Sequence, residues 1–409
     1  MPFITSSMKN SIISLVVWTC LTATLGSGAQ AQTSSPPPRT FALSGERLLA
    51  QRLYFASPAG QNNPELAKLL LEAEQALQLR EASVMDKTRV AASGDKHDYV
   101  SLGPYWWPDP EKPNGLPYIR KDGNVNPESR SGTDERAMKA TCRAVETLGL
   151  AFWFTGQERY AIKAAALLRT WFLHPASRMN PNLQYAQAIP GITSGRGIGI
   201  IDTHNFIALQ DSLALLAGSV AWTQSDQTAM QEWLKNYYQW LRSSANGLDE
   251  ASELNNHGTW YDALTVALAL GTGQMDDARS ILQALPTKRL AVQLDLQGRQ
   301  PLELARTNSL NYSIFNLTAY LNLAQLGQAA GVDVWKLSTT DGKTIASALH
   351  AIAPYADPNK PWPQVDLQNG DRAKLVALLV QALQLREDPL LRATVNAQPE
   401  APTLLLRMP

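Results

Sequence analysis

Apolar residues recur with helical spacing along most of this chain. In the stretch SDQTAMQEWLKNYYQWLRSS, residues 225–244, Ser225 stands where a helix N-cap is expected. The apolar residues of this stretch fall on one helical face, namely Met230, Trp233, Leu234, Tyr237, Trp240 and Leu241. Similar runs lie near residues 43–56, 62–80, 134–154, 157–173, 204–220, 260–270, 275–285, 313–330, 340–353 and 371–385. Alternating strand patterns are scarce, so the sequence predicts an all-α protein.

Short joints containing glycine separate several of these runs. They read FTGQE at 154–158, GTGQ at 271–274 and AAGVD at 329–333. Short joints make neighbouring helices antiparallel. Repeated hairpins without a strict sequence period favour a single (α/α) toroid, or incomplete barrel, over residues 42–409. A generic helical bundle or solenoid is the alternative.

One long segment interrupts the helical pattern. Residues 92–131 are rich in proline, glycine and aromatic side chains, including Tyr105, Trp106 and Trp107. A loop of this length in a compact domain is typically either functional or disordered, and the aromatic content argues against disorder. We expect a long aromatic lid loop packed over the helices, or a wall on which sugar rings stack. The two interpretations are compatible.

The first residues resemble an export signal. Lys9 precedes an apolar run over residues 12–25, and Ala29-Gln30-Ala31 forms an A-x-A cleavage signal. We therefore expect residues 1–31 to be a cleaved signal peptide and residues 32–41 a flexible lead-in. The mature protein would be periplasmic or secreted, with no membrane attachment after cleavage. A retained anchor is the alternative.

Charge and cysteine content narrow the classes of partner. The chain has 36 basic and 36 acidic residues and no long basic stripe, so we expect no nucleic-acid partner. An acidic ligand would have to be held by a local cluster of cations. Candidates are Arg120, Lys121, Arg130, Arg136, Lys139, Arg143 and Arg196, most of them at positions typical of solvated helix faces. Signal cleavage would leave Cys142 as the one cysteine, which excludes an internal disulfide.

Several common catalytic motifs are missing from the sequence. It contains no H-E-x-x-H pair and no G-x-S-x-G elbow. The glycine-rich SGRGIGIID at 194–202 lacks the Lys-Ser/Thr of a phosphate-binding loop, so a connector leading into a helix is the better interpretation. Of the five histidines, two are expected to have structural roles. His174 precedes a proline at a predicted helix end, and His350 lies in an apolar helical pattern. We expect no cofactor and no metal.

Two separate stretches carry candidate chemistry. NNHGTW at 255–260 contains Asn256 and His257, and ELARTNSLNYSIFNL at 303–317 contains Arg306 and Tyr312. Each could be no more than a helix start with a cap, a surface charge and a core aromatic. Together they suit β-elimination on a uronic-acid polymer, in which the C5 proton is lost and the C4 oxygen leaves. Amide and guanidinium donors stabilise the charge that builds on the carboxylate. Tyr312 would serve as acid and base, and His257 as base or as donor.

Two other classes of protein could use such a fold. A glycoside hydrolase would need two carboxylates facing each other across the bond. Candidates are Asp202, Asp249, Glu253 and Asp262, and none forms a persuasive pair in the sequence. A non-catalytic periplasmic polysaccharide-binding protein would keep the aromatic wall. It would not need Asn256, Arg306 and Tyr312 together.

With these residues in view, NNHGTWYD, ELARTNSLNYSIFNL and SGDKHDYVSLGPYWWPDP resemble motifs of the alginate lyase family of α/α-toroid polysaccharide lyases. The resemblance implies that Asn256, His257 and Arg306 neutralise or orient the uronate, that Tyr312 is the acid and often the base, and that no metal is needed. It implies an acidic polysaccharide as substrate, which could be mannuronate-rich or mixed alginate or glucuronan. Further candidates for substrate contact are Tyr105, Trp106, Trp107, His204, Trp260 and Tyr261.

The chain also departs from the family pattern. The Tyr motif reads NYSIFNL and lacks the His-Asn-Tyr arrangement of some periplasmic relatives. The length leaves no room for the β-sandwich domain of larger exolytic relatives. Both departures indicate a compact single-toroid lyase and leave the polymer open.

Overall fold

The amphipathic stretch at 225–244 forms a helix from Gln224 to Ser243 in the computed structural model, which describes residues 36–367, 370–398, 401, 402 and 406. Its N-cap is Thr223, not the predicted Ser225. The Thr223 side chain accepts a hydrogen bond from the backbone N–H of Asp226, and the Asp226 side chain reaches back to Thr223. This reciprocal capping box satisfies two backbone donors, and a serine two residues into the helix cannot do so. The predicted apolar face is buried, with Trp240 at its edge.

Helices dominate the described chain, in agreement with the predicted all-α class. The α-helices are α1 (Gly45–Ala56), α2 (Pro64–Leu77), α3 (Glu135–Thr155), α4 (Glu158–Leu168), α5 (Phe206–Leu216), α6 (Gln224–Ser243), α7 (Ala245–Ser252), α8 (Asn256–Gly271), α9 (Met275–Gln283), α10 (Ala291–Gln293), α11 (Pro301–Leu304), α12 (Ser309–Ala330), α13 (Ile345–Ile352), α14 (Arg372–Leu385) and α15 (Pro389–Asn396). Short 3₁₀ turns lie at Val84–Asp86, Pro127–Arg130, Gly197–Thr203, Val334–Lys336 and Ala353–Ala356, and π-turns at Arg169–Leu173 and Pro286–Leu290.

The helices form an inner and an outer layer. Helices α3, α5, α8, α12 and α14 pack against one another in that order, and α8 and α12 are buried on nearly all sides. Around them lie α2 and α4 against α3, α6 and α9 against α8, and α13 against α12. A helix that is apolar all round belongs inside a core, whereas the amphipathic outer helices keep one polar face. This two-layer arrangement of hairpins is the predicted (α/α) toroid.

Two of the three predicted joints, FTGQE and GTGQ, separate consecutive helices that pack against each other, whereas AAGVD leads from α12 into a 3₁₀ turn. Gly156 ends α3 with a φ of 68°, and α4 begins two residues later. Only glycine adopts this left-handed backbone without strain, which explains the abrupt stop after an apolar run. The GTGQ joint likewise separates α8 from α9.

The proline-rich segment at 92–131 is ordered by two small pairs of strands. β1 (Val100–Leu102) pairs in parallel with β4 (Tyr185–Ala188), which lies much later in the chain. β2 (Trp106–Trp107) pairs with β3 (Ile119–Arg120) in antiparallel register, Trp106 opposite Arg120. The β1–β4 pair ties the segment to the helical part of the chain.

The predicted signal peptide, residues 1–31, lies outside the described residues, as do residues 32–35 of the lead-in at 32–41. The proposed domain boundaries therefore stay predictions. Among the residues described, no helix is both long and apolar enough to cross a bilayer. Cys142 is a free, buried thiol in α3.

Candidate active site

Two adjoining chambers form a cleft between the inner helices and the segment 92–131. The first chamber, of about 450 Å³, is lined by Pro104, Tyr105, Trp106, Arg120, Glu135, Lys139, Gln187, Arg196, Ile198, Ile201, Asp202, His204, Glu253, Asn255, Asn256, His257, Arg306, Tyr312 and Phe315. The second, of about 660 Å³, is lined by Tyr105, Val125, Arg130, His204, Asn205, Trp260, Asn308, Asn311, Tyr312, Ile314, Phe315, Thr318 and Lys374. Tyr105, His204, Tyr312 and Phe315 line both chambers, so they stand at the junction.

The first turn of α8 supplies two of the four candidate catalytic residues. The side chain of Asn255 caps this helix by accepting from the backbone N–H of His257 at 2.9 Å. Gly258 follows because no larger residue fits: a Cβ there would lie 2.1 Å from both Arg289 Nη1 and the carbonyl oxygen of Glu253. NNHGTW is therefore a helix cap that also presents Asn256 and His257 to the first chamber.

Asn256 is fixed by a buried carboxylate. Glu303, on α11, accepts from the Asn256 backbone N–H at 2.7 Å and from its Nδ2 at 2.8 Å. Burial raises the pKa of Glu303, and the hydrogen bonds from Asn256 oppose this rise. The Asn256 Oδ1 atom is buried and has no hydrogen-bond partner within the described chain. The amide is thus held in one orientation.

His257 is also held by a carboxylate. Its Nδ1 lies 2.8 Å from Oε1 of Glu250, a fully buried residue on α7. Burial alone would lower the pKa of His257, but the adjacent Glu250 carboxylate outweighs burial and raises it. With Nδ1 engaged by Glu250, Nε2 is the ring nitrogen left for a ligand.

Arg306 and Tyr312 form the opposite part of the first chamber. Arg306 Nη2 donates to the Tyr312 hydroxyl at 2.8 Å, and the guanidinium carbon lies 3.8 Å from the centroid of the phenol ring. Asp122, from the segment 92–131, accepts from Arg306 Nε at 3.1 Å and from Nη2 at 2.8 Å. Burial opposes ionisation of Asp122, but Arg306 and Arg120 lower its pKa to about 2. One edge of the Arg306 fork is therefore occupied by a carboxylate of the protein itself.

The Tyr312 hydroxyl has a second partner. It lies 2.6 Å from the hydroxyl of Tyr105. Burial raises the pKa of Tyr312 well above its usual range, Tyr105 adds to this effect, and the Arg306 charge only partly opposes it. Tyr312 is consequently protonated at rest, which suits a proton donor better than a resting phenolate base.

Three of the predicted cations line the first chamber, and a strained residue supports one of them. Arg120, Lys139 and Arg196 reach this chamber, while Arg130 lines the second. Arg196 donates through Nε to the Gln187 carbonyl at 3.1 Å and through Nη2 to Gln187 Oε1 at 3.0 Å. Gln187 has a φ of 47°, a left-handed conformation that is costly for a residue with a side chain. Hydrogen bonds to Ser101 and Asp202 hold Gln187 in this strained conformation in the wall of the cleft.

Aromatic rings form the junction of the two chambers. The His204 ring lies edge-on to Trp260 and Phe315, with centroids 5.1 and 5.8 Å away. Burial lowers the pKa of His204 to about 4, and its Nδ1 donates to the Ile201 carbonyl at 2.8 Å. His204 is therefore a neutral ring, suited to packing against a sugar and not to proton transfer near neutral pH.

Two of the predicted contact residues do not reach the cleft. Tyr261 is 2% exposed, and its hydroxyl donates to the Leu241 carbonyl in the core. It follows Trp260 on α8, and one helical step of about 100° turns it away from the second chamber. Trp107 lines neither chamber, because its ring packs against Lys121 and its Nε1 donates to the Asn124 carbonyl. The structure places neither residue in the wall of the two chambers, and their assignment to substrate contact stays a prediction.

Sequence reasoning missed the carboxylates that hold the site. Asp122, Glu250 and Glu303 each bind one of the candidate catalytic side chains. The signals were weak: Asp122 lies in an ordinary-looking KDGN turn, and Glu250 precedes His257 by seven positions. The connector 194–202 leads into α5 as predicted, through a 3₁₀ turn that packs against α7 and contributes Arg196 and Asp202 to the cleft.

The carboxylates considered for a hydrolase are mostly engaged elsewhere. Asp262 is buried in an ion pair with Arg289, 2.7 Å from Nε. Asp202 accepts from Tyr99, Ser101 and Gln187. Within the described ranges, no cluster of three or more histidine, cysteine, aspartate or glutamate side chains is arranged to hold a metal ion.

Comparison with known proteins identifies relatives over most of the chain. The family model described as Alginate lyase matches residues 83–362. The crystal structure of an alginate lyase from Bacteroides ovatus has 40% sequence identity and a TM-score of 0.85, covering 90% of this chain and 97% of its own. Alginate lyase A1-III from Sphingomonas species A1 has 15% identity and a TM-score of 0.54, covering 84% and 88%, a likeness of fold alone. No curated protein matched the sequence.

The fold and these matches define the class of protein: the chain is a polysaccharide lyase built on an (α/α) toroid. The family model matches most of the sequence. The 40% sequence identity with the Bacteroides ovatus enzyme is high enough to show membership of the same family. The chain belongs to the alginate lyase family. This confirms the resemblance carried by the three sequence motifs.

Proposed function

We propose that this lyase cleaves alginate, or a related polyuronate such as glucuronan, by metal-independent β-elimination. The observation that carries the proposal is the meeting of Asn256, His257, Arg306 and Tyr312 in one chamber, although about 50 residues separate the two pairs in the chain. Alginate is named for the relatives, and a variant of alginate lyase A1-III has been solved with a tetrasaccharide. The two adjoining chambers support a polymeric substrate that crosses the junction.

In the proposed reaction, Asn256 donates to the carboxylate of the uronate as the C5 proton leaves. Charge then builds on the carboxylate, and a fixed amide is effective because its dipole needs no reorganisation. The side-chain amide of Asn256 has two N–H donors, and Glu303 accepts from one of them. The other N–H is left to donate to the carboxylate of the uronate. Arg120 and Arg196 add positive charge to the same chamber.

Tyr312 is proposed as the acid that protonates the departing C4 oxygen. Its raised pKa keeps the phenol protonated until the bond to C4 breaks. Arg306 then stabilises the phenolate through its hydrogen bond and charge. Asp122 occupies one edge of the Arg306 guanidinium. Arg306 is therefore better placed to hydrogen-bond Tyr312 than to bind both carboxylate oxygens of the uronate.

His257 is proposed as the base. For guluronate the C5 proton and the C4 oxygen lie on opposite sides of the ring, which requires two separate groups. For mannuronate and glucuronate they lie on the same side, and Tyr312 could act on both. The protonated resting state of Tyr312 favours His257 as the first proton acceptor in either case.

The proposal is tested by the variant Tyr312→Phe, assayed by the ultraviolet absorbance of unsaturated products on alginate blocks and glucuronan. We expect turnover to fall by at least about 100-fold, while polymer binding measured by calorimetry stays within a few-fold. Near-normal turnover in this variant would remove Tyr312 from its role. Absence of ultraviolet-absorbing product from the unmodified enzyme on every polyuronate would remove the substrate class.

Export of the mature enzyme to the periplasm or medium belongs to the same proposal. It is supported by the signal-like residues 1–31 and by a substrate class of large polymers. Expression of the full chain with mass determination of the exported product tests it. A product that keeps residues 1–31 would contradict cleavage.

A further inference from the structure

Glu250 is the buried carboxylate of this site whose arrangement differs from that of the others. Three other buried acidic side chains, Asp202, Asp262 and Glu303, accept hydrogen bonds on both oxygens. Glu250 is fully buried, but only Oε1 has a hydrogen-bond partner in the described chain, the His257 ring. A buried carboxylate with an unsatisfied oxygen costs free energy, so its single partner needs an explanation.

The contact restricts where the protons of His257 can be. An ionised carboxylate can only accept hydrogen bonds. If Glu250 is ionised, Nδ1 of His257 must carry a proton and donate it to Oε1, and the neutral ring is left with a free lone pair on Nε2. If Glu250 were instead protonated, it would donate to Nδ1, and Nε2 would carry the proton.

We propose that Glu250 is a positioning residue that keeps His257 in the Nδ1-protonated tautomer, so that Nε2 accepts the C5 proton. This inference rests on the proposed β-elimination. The C5–H electron pair passes into the enolate-like carboxylate, and the proton moves to Nε2. The C4–O bond then breaks, a C4–C5 double bond forms, and Tyr312 gives its proton to the leaving oxygen. Water returns the proton from His257 to Tyr312, which closes the cycle.

The surroundings of the pair favour the positive ring that forms in this step. Although burial opposes it, Glu253 and Glu303 also act on His257 and, with Glu250, raise its pKa above the usual value. Burial, Glu253 and Asp249 raise the pKa of Glu250, and the neighbouring His257 opposes that rise. The cations that line the same chamber are Arg120, Lys139, Arg196 and Arg306. The raised pKa makes the His257 ring a stronger base than histidine in water.

The test uses Glu250→Gln, which keeps the shape and removes the charge. Because the base must be neutral, the rate rises as pH rises through the pKa of His257. Loss of the carboxylate lowers that pKa, so the acid limb of the kcat profile should move to lower pH. The plateau of kcat should fall at least about 10-fold, with KM within about 2-fold. Glu232→Gln, an exposed carboxylate-to-amide change on α6 at a residue that lines neither chamber, should leave the limb in place.

Nitrogen-15 NMR of the histidine rings provides a second readout that does not depend on the variant's folding. In the unmodified enzyme, above the acid limb, His257 should show a protonated Nδ1 and an unprotonated Nε2, assigned by comparison with His257→Ala. A protonated Nε2, or a Glu250→Gln profile whose acid limb does not move, would overturn the proposal. A Tyr312→Phe variant that stays active would contradict the proposed function and leave the His257 tautomer unaffected.

Discussion

Replacing Asp122, the ion-pair partner of Arg306, distinguishes two roles of the arginine. A loss of kcat indicates that Arg306 supports Tyr312, and a loss confined to KM indicates that it binds the substrate. Asp122→Asn removes the charge and one of two acceptors, so Arg306 loses part of the hold that points Nη2 at the Tyr312 hydroxyl. The pair is largely shielded, with the side chains 18% and 23% exposed. Hydrogen bonds to charged groups contribute about 1.5–3 kcal/mol and neutral ones about 0.5–1.5 kcal/mol.

The difference between these ranges is about 1–1.5 kcal/mol, equivalent to roughly 5- to 13-fold in rate. We therefore expect kcat of Asp122→Asn to fall about 10-fold on the best polyuronate, measured by ultraviolet absorbance. KM should stay equal or decrease, because the released guanidinium is free to attract the uronate. A loss confined to KM would show instead that Arg306 works by binding the substrate, and unchanged kcat would refute the reasoning.

Thr307→Val is the matched control for this variant. The Thr307 hydroxyl also donates to Asp122, at 3.2 Å, but its loss leaves both bonds to Arg306 in place. We expect kcat within about 3-fold of the unmodified enzyme. A 10-fold loss in the control would mean that the local turn, and not the hold on Arg306, decides the rate.

Three further results are expected. Tyr105→Phe removes a hydrogen bond that raises the pKa of Tyr312, so the basic limb of the kcat profile should move to lower pH. A basic limb that does not move would show that the Tyr105 hydroxyl does not influence proton transfer by Tyr312. Arg289→Met leaves the buried Asp262 carboxylate with the part-exposed Lys288 as its remaining ion-pair partner, and it should lower the free energy of unfolding by about 3 kcal/mol in denaturant titrations. Arg299→Met, at an exposed pair, should change the free energy of unfolding by at most about 1 kcal/mol. Dialysis against a chelator should leave the ultraviolet assay unchanged, and a loss restored by a divalent ion would contradict metal-independent chemistry.

The architecture was predictable because it follows from short-range patterns. The face built by Met230, Trp233 and Leu234 repeats every three or four residues, and Gly156 marks a helix end that few other residues allow. Such signals are written into consecutive positions. The (α/α) toroid then follows from short joints and from helices that are apolar all round.

The site was predictable only in part, because its geometry depends on residues far apart in the chain. Asn256, His257, Arg306 and Tyr312 were found through the chemistry of two stretches and the family motifs. Glu250 and Asp122 carry no local signal, since their importance comes from contacts made across the cleft. Tyr261 shows a further limit of a local pattern, because this aromatic lies beside the motif in sequence and is buried in the core.

The most direct test of the account is the mass of the oligosaccharides released from a polyuronate. β-Elimination by the groups around Tyr312 and His257 predicts that every cut leaves one unsaturated sugar at the new non-reducing end. Products from the interior of the polymer should therefore weigh one water less than the corresponding hydrolysis products, and only the fragment that keeps the original non-reducing end of each chain should be saturated. Products that are all saturated and of full hydrolytic mass would contradict the account.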